Sequence, residues 1–236
     1  MPHPPEPRPN TVRVWDLPVR LFHWALVAAV AVALISAEDE GPLSAWHSVA
    51  GWVAAVLIAF RLVWGFVGGQ HARFASFLRP SEIGRHLREL TRGKPTASLG
   101  HNPLGGIAIL GLLGLAAATV MTGAAMGGEA GEDLHGALGY GLLALAGVHV
   151  ASVVIMSLLS RENLIGAFIT GSKRADRHPG ATDAAPPLPL AIPLAAVMMG
   201  AAAYGATRID PNAFTPTAHA EAGEQGDEDE GGESED

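Results

Sequence analysis

The chain has 236 residues, of which 49% are hydrophobic and only 16% are charged, where soluble domains average about 25% charged. It has no cysteine, which excludes disulfides, iron–sulfur clusters, thiolate haem ligation and covalent c-type haem, so any redox centre must use His or Met. The net charge of -8 belongs to the C-terminal end, since residues 221–236 hold nine acidic residues and no basic one, leaving 14 acidic against 15 basic in the rest of the chain. Five windows lack Asp, Glu, Lys and Arg altogether: residues 21–37, 41–60, 102–128, 134–160 and 184–207. A bilayer core takes about 20 apolar residues as helix, with a range of roughly 17–25, so each window is long enough to span, and a soluble globular enzyme is excluded.

In chain order, residues 1–20 form a polar segment with Arg8, Arg13 and Arg20, followed by the first predicted span. Cations ahead of an apolar run also describe a secretory signal. The run carries His23 and Trp24, however, and its removal would put every later loop on the wrong side by charge, so it is read as a span. Arg61, Arg73, Arg79, Arg85, Arg88, Arg92 and Lys94 end or follow the second span. Within that loop, residues 80–91 are amphipathic, with Ser81 as N-cap and Ile83, Leu87 and Leu90 at helical spacing, and are expected on the membrane surface. Arg161, Lys173, Arg174 and Arg177 follow the fourth span. Residues 175–187 read as a linker and 188–206 as an additional span, with Pro189 and Pro193 in its first turns and no His; residues 207–236 form a disordered acidic tail. Cytoplasmic loops are enriched in Lys and Arg, and 14 of the 15 cations fit a cytoplasmic N-terminus with the tail outside, Arg208 being the exception.

Four of the ten His lie in or at the edge of the spans: His23, His47, His135 and His149. Ionisable groups in membrane helices are costly and point to function. His135 and His149 share one helix and lie nearly four turns apart, about 21 Å along its axis and facing nearly the same way. Depth pairs His47 with His135 near the external face and His23 with His149 near the cytoplasmic one. Zinc and copper sites add Cys, carboxylate or further His ligands, which these spans lack. Haem iron needs only two axial ligands, so two bis-His b haems fit the count. Trp46-His47-Ser48-Val49-Ala50-Gly51-Trp52 and Leu134-His135-Gly136-Ala137-Leu138-Gly139-Tyr140 share His, three residues, Gly and an aromatic. Gly51 and Gly139 thus stand one turn from a His, where a flat macrocycle needs room; small residues also serve plain helix contacts. Arg20 and Arg61 are candidates for pairing with anionic propionates, or for snorkelling anchors. Trp24, Trp46, Trp52 and Trp64 read as interface-belt residues. His71, His86 and His101 read as solvated or headgroup-facing, and His3, His178 and His219 as lying in mobile segments.

Val14-Trp15-Asp16-Leu17-Pro18-Val19-Arg20-Leu21-Phe22-His23-Trp24, Phe60-Arg61-Leu62-Val63-Trp64-Gly65-Phe66, Leu99-Gly100-His101-Asn102-Pro103-Leu104-Gly105-Gly106 and Arg161-Glu162-Asn163-Leu164, in that order, resemble the bacterial cytochrome b561 family. The branch is the one similar to the cytochrome b subunits of nickel-iron hydrogenases. The resemblance covers about residues 12–174 and implies a four-helix membrane bundle with two b haems, exchanging electrons between quinone and a redox partner. It implies His23, His47, His135 and His149 as the haem ligands.

The expected architecture is therefore an all-α integral membrane protein of the bacterial inner membrane: a four-helix transmembrane bundle over residues 21–174 holding two haem b groups, plus a fifth transmembrane helix. The expected function is electron transfer between membrane quinone and a periplasmic protein, either a hydrogenase or a c-type cytochrome, with lipid around it and no nucleic acid among its partners. His101 with Asn102 is the candidate quinone pair. The alternatives are a dedicated anchor subunit of a hydrogenase or other periplasmic oxidoreductase, and, in a different class, a non-redox scaffold or proton-relaying transporter. A transporter should carry more charge within its spans. The acidic tail is either a solubilising extension or a docking arm for a basic partner.

Overall fold

The computed structural model describes residues 10–37, 41–77, 84, 88, 99–100 and 103–216. His3, His86, His101, Asn102, His219, the acidic tail from 217 onward and all of the amphipathic stretch 80–91 except residues 84 and 88 lie outside the described residues.

The element order is β1 (Thr11–Arg13), α1 (Leu17–Ala37), α2 (Trp46–Val67), α3 (Pro103–Ala125), α4 (Glu129–Ser160), α5 (Leu164–Thr170), β2 (Ser172–Arg174) and α6 (Ala191–Ile209). All but α5 among these helices are long and apolar enough to cross a membrane. Among the described residues the exception to an all-α chain is the antiparallel ribbon of β1 and β2, with Val12 opposite Lys173.

Local chemistry sets the helix ends. Asp16 starts α1, its carboxylate accepting the Val19 N–H at 2.9 Å, and Pro18 follows in the first turn, where its missing N–H costs nothing. The second charge-free window stops at Arg61, yet α2 continues to Val67 because the Arg61 side chain is buried in the fold at 2% exposure. At the other end, α4 begins with Glu129 and Glu132 in its first turn, where the helix dipole favours acidic groups. Residues 129–133, which lie ahead of the fourth charge-free window, are thus helix. α4 closes on Arg161 in the left-handed conformation at φ 53°. α5 is capped by Asn163, which accepts the Gly166 N–H at 2.7 Å, and is terminated by Gly171 at φ +81°, a conformation that favours glycine.

α2 is the hub: it packs on α1, α3 and α6, while α3 packs on α4. α6 buries Ala191, Ala195 and Ala206, small side chains that let helices approach closely. The aromatic part of the core is built from Trp15, Phe22, Phe60, Trp64, Phe74 and Phe77 with Val14, at the end of the helices that carries Arg20, Arg61 and Lys173, the basic end. Elsewhere the long helices expose large apolar side chains such as Ile35, Val150, Leu158 and Val197, as lipid-facing helices do. The segment read as a linker is tied down along its length. Ala184 N–H donates to Arg13 O at 2.9 Å, Gln70 N–H to Ala185 O at 3.0 Å and Leu188 N–H to Val67 O at 2.9 Å, and Arg13 pairs with Asp183 at 2.8 Å.

Candidate functional site

Two of the four span histidines, His47 and His135, face each other directly, and the other two, His23 and His149, lie within electrostatic reach of one another. At the acidic end, His47 on α2 and His135 on α4 face each other edge-on, with ring centroids 5.8 Å apart. His47 Nδ1 lies 2.9 Å from Ala33 O, and His135 Nδ1 lies 2.9 Å from Thr119 O. A carbonyl only accepts, so each Nδ1 carries a proton, and it is Nε2 that is left to offer a lone pair to a metal when the imidazole is neutral. Imidazoles that bind metals are commonly fixed in this way. Thr122 Oγ1 stands 3.4 Å from His135 Nδ1, and Gly123 leaves the ring room, since a Cβ there would come within 2.9 Å of it. Neither residue is marked by the sequence pattern. A Cβ at Gly51 or Gly139 would meet nothing within 4 Å, so helix packing does not require either glycine.

At the basic end, His23 on α1 lies within electrostatic reach of His149 on α4. The His23 ring meets the edges of Phe168 at 4.9 Å and Trp24 at 5.3 Å. Arg20 and Arg61 lie at the same end. Arg61 stacks over the Phe74 ring at 4.6 Å, and one of its buried terminal nitrogens, Nη1, has no hydrogen-bond partner. Arg20 donates to Ile169 O and keeps a buried, unpartnered Nε. Buried cationic donors left open suit anionic carboxylates such as haem propionates. Among the described residues no three His, Cys, Asp or Glu gather to hold an ion. The donor set is thus paired imidazoles with nearby cations, which fits a haem whose porphyrin supplies the other four iron ligands.

Other residues are placed differently from their sequence reading. Trp64 faces the protein interior and not lipid: it is buried, and its Nε1 donates to Asp16 at 3.1 Å, while Asp16 also accepts the Gly69 N–H at 2.8 Å. Trp52 Nε1 donates to Asp210 at 3.0 Å, joining α2 to the end of α6. His71 is half-buried rather than solvated; burial first, and then the charge of Lys173, holds its pKa below the ordinary value. His178 is buried against Glu162, which accepts from its Nε2 at 3.0 Å and from Lys173 Nζ at 3.0 Å. Burial alone would raise the Glu162 pKa, but hydrogen bonds from Lys173 and His178 outweigh it and bring the carboxyl below its usual range.

The family model described as prokaryotic cytochrome b561 matches residues 14–171. The probable Ni/Fe-hydrogenase B-type cytochrome subunit of Bradyrhizobium diazoefficiens is 25% identical over 213 residues, covering 70% of this chain and 86% of that protein. Its counterpart in Rhodobacter capsulatus is 24% identical over 217 residues, covering 70% and 82%. The probable Ni/Fe-hydrogenase 1 B-type cytochrome subunit of Escherichia coli K12 is 28% identical over 144 residues, covering 49% and 60%. No solved structure matches the chain.

Proposed function

The chain belongs to the prokaryotic cytochrome b561 family and is a multi-pass membrane b-type cytochrome of electron transport; from that premise we propose that it carries electrons between the quinone pool and a redox protein on the periplasmic face of the bacterial inner membrane. Haem b supplies a reversible one-electron iron couple, tuned by its axial ligands and their hydrogen bonds. In this reading His47 with His135 hold one haem and His23 with His149 the other, within a bundle of α1 to α4 to which α6 is an addition. The observation that carries it is the pairing of His47 and His135 at 5.8 Å with both Nδ1 atoms on backbone carbonyls. Arg20 and Arg61 bind propionates, and Gly51 and Gly139 leave space beside the macrocycle.

Charge supports the orientation, with the N-terminus cytoplasmic and the acidic C-terminus periplasmic. The relatives are named as cytochrome subunits of Ni/Fe hydrogenases, which favours a hydrogenase as the periplasmic partner. The nine acidic residues of 221–236 favour, as a second reading, a basic soluble c-type cytochrome steered by charge. His101 with Asn102 remains the candidate for contact with quinone at the cytoplasmic edge.

Proteoliposomes carrying the haem-loaded protein test this directly. Added quinol should reduce the b haem, and a hydrogenase should copurify from native membranes. A haem that dithionite reduces but quinol does not would remove quinone from the reading. Purification without a hydrogenase, combined with salt-sensitive electron transfer to a basic c-type cytochrome, would favour the second partner.

A further inference from the structure

The two histidine pairs are held by different means. The acidic-end rings are oriented by hydrogen bonds from Nδ1 to Ala33 O and Thr119 O. Among the described residues the His23 ring has no hydrogen bond, and its neighbours are aromatic edges. Trp24 is its sequence neighbour and is 45% exposed, so it faces outward and braces the ring poorly. Phe168 comes from α5, outside the long helices, and meets the ring at 4.9 Å and 72°.

Phe168 is itself fixed. The Trp15 ring meets it edge-on at 5.3 Å and 63°, and Trp15 is buried in the basic-end core. Lys173 Nζ stands 5.7 Å over the Trp15 ring and is bound by the partly buried Glu162, which also takes the His178 hydrogen bond. The backbone is tied at the same place: Gly171 O, at the end of α5, accepts Val14 N–H at 2.8 Å and Trp15 N–H at 3.1 Å. The ribbon, α5 and the Glu162–Lys173–His178 cluster are thus linked into one cap, and its Phe168 ring meets His23.

We propose that Phe168 is a positioning residue for His23, fixing the rotation of its imidazole plane, with Trp15 and Lys173 holding Phe168 in register. The inference rests on the reading of His23 as an axial haem ligand. In ferric low-spin haem with two imidazole ligands, the low-field electron paramagnetic resonance follows the angle between the two ring planes, so that angle is measurable. Loss of the Phe168 ring frees His23 to rotate, with nothing moved at the His47–His135 pair.

The test uses full-length, haem-loaded protein in detergent, with the basic-end signal assigned as the one that His149→Ala removes. Phe168→Ala should shift that low-field resonance and leave the acidic-end one in place, and Phe168→Tyr, which keeps the ring, should restore the wild-type position. Should Phe168→Ala fail to retain the basic-end haem, Phe168→Leu decides, since it keeps bulk without a ring edge: a shifted resonance supports the brace. Either variant holding both haems with the basic-end resonance unmoved overturns the proposal. If His149→Ala removes no signal in otherwise wild-type protein, the ligand reading fails instead, independently of Phe168.

Discussion

Gly123 limits where His135 can stand. A Cβ at that position would come within 2.9 Å of the imidazole, so Gly123→Ala should push the ring off Thr119 O and strain the acidic-end pair. Overpacking of this kind costs about 1–3 kcal/mol. A redox titration of the purified variant should show the acidic-end haem depleted or shifted and the basic-end haem unchanged; an unchanged titration would contradict the contact. Two groups at the basic end make stability depend on pH in separable windows. His71, its pKa depressed by burial and by Lys173 from an ordinary value of 6.5, binds a proton more readily unfolded than folded. Stability is therefore undiminished above 6.5, falls as pH drops from there toward the folded pKa, and then levels. Glu162 is depressed from 4.5 despite its burial, so its contribution is present above 4.5 and is lost as pH falls below that value toward the folded pKa. Thermal melts across pH should show loss in both windows, the upper one reduced by His71→Asn; loss confined to pH below 4.5, or an upper window unchanged in His71→Asn, would contradict the burial of His71. At this scale the four span histidines were legible, because each is a costly group in an apolar run. Gly123, Phe168 and Asp16 were not. Their roles lie in contacts with residues distant in sequence, and each is an ordinary residue type in an ordinary place.

The five long helices follow from five windows without charge, but their ends do not. α2 passes through Arg61 because a guanidinium stacked on Phe74 at 4.6 Å can be buried, and a rule that stops spans at the first cation has no access to that contact. α4 begins early because acidic residues stabilise a helix N-terminus, though they are the residues that mark a loop in a hydropathy reading. The stretch after Lys173 has the Pro, Gly and Ala content of a linker, yet it is held by backbone bonds to β1 and to the end of α2; composition does not reveal hydrogen bonds made to distant backbone. α6 is fixed to α2 by small buried alanines and, at its far end, by the Trp52–Asp210 hydrogen bond at 3.0 Å. A bond to a charged acceptor is worth about 1.5–3 kcal/mol. Trp52→Phe should therefore loosen the end of α6 and raise the rate of tryptic cleavage at Arg208 by about tenfold or more. Cleavage at the wild-type rate would show that the alanine contacts alone hold the helix.

For the whole molecule, the asymmetry of charge and the asymmetry of packing coincide. The basic end carries the ribbon, the buried ion cluster and the aromatic core, and on the sequence positions of 14 of the 15 cations it is the end we propose to face the cytoplasm. The opposite end carries the hydrogen-bonded His47–His135 pair and leads into the acidic tail. Between them α4, 32 residues long and so about 48 Å at 1.5 Å per residue, bears one histidine of each pair and is the only helix common to both. An electron path across the bilayer follows if each pair holds a haem, with one site near each membrane face. Haem stoichiometry in three purified proteins tests that most directly. Two acid-extractable b haems per wild-type chain are expected, and one in each of His135→Ala and His149→Ala, with the two variants retaining haems of different midpoint potential. One haem in the wild type, or the same residual haem in both variants, would contradict it.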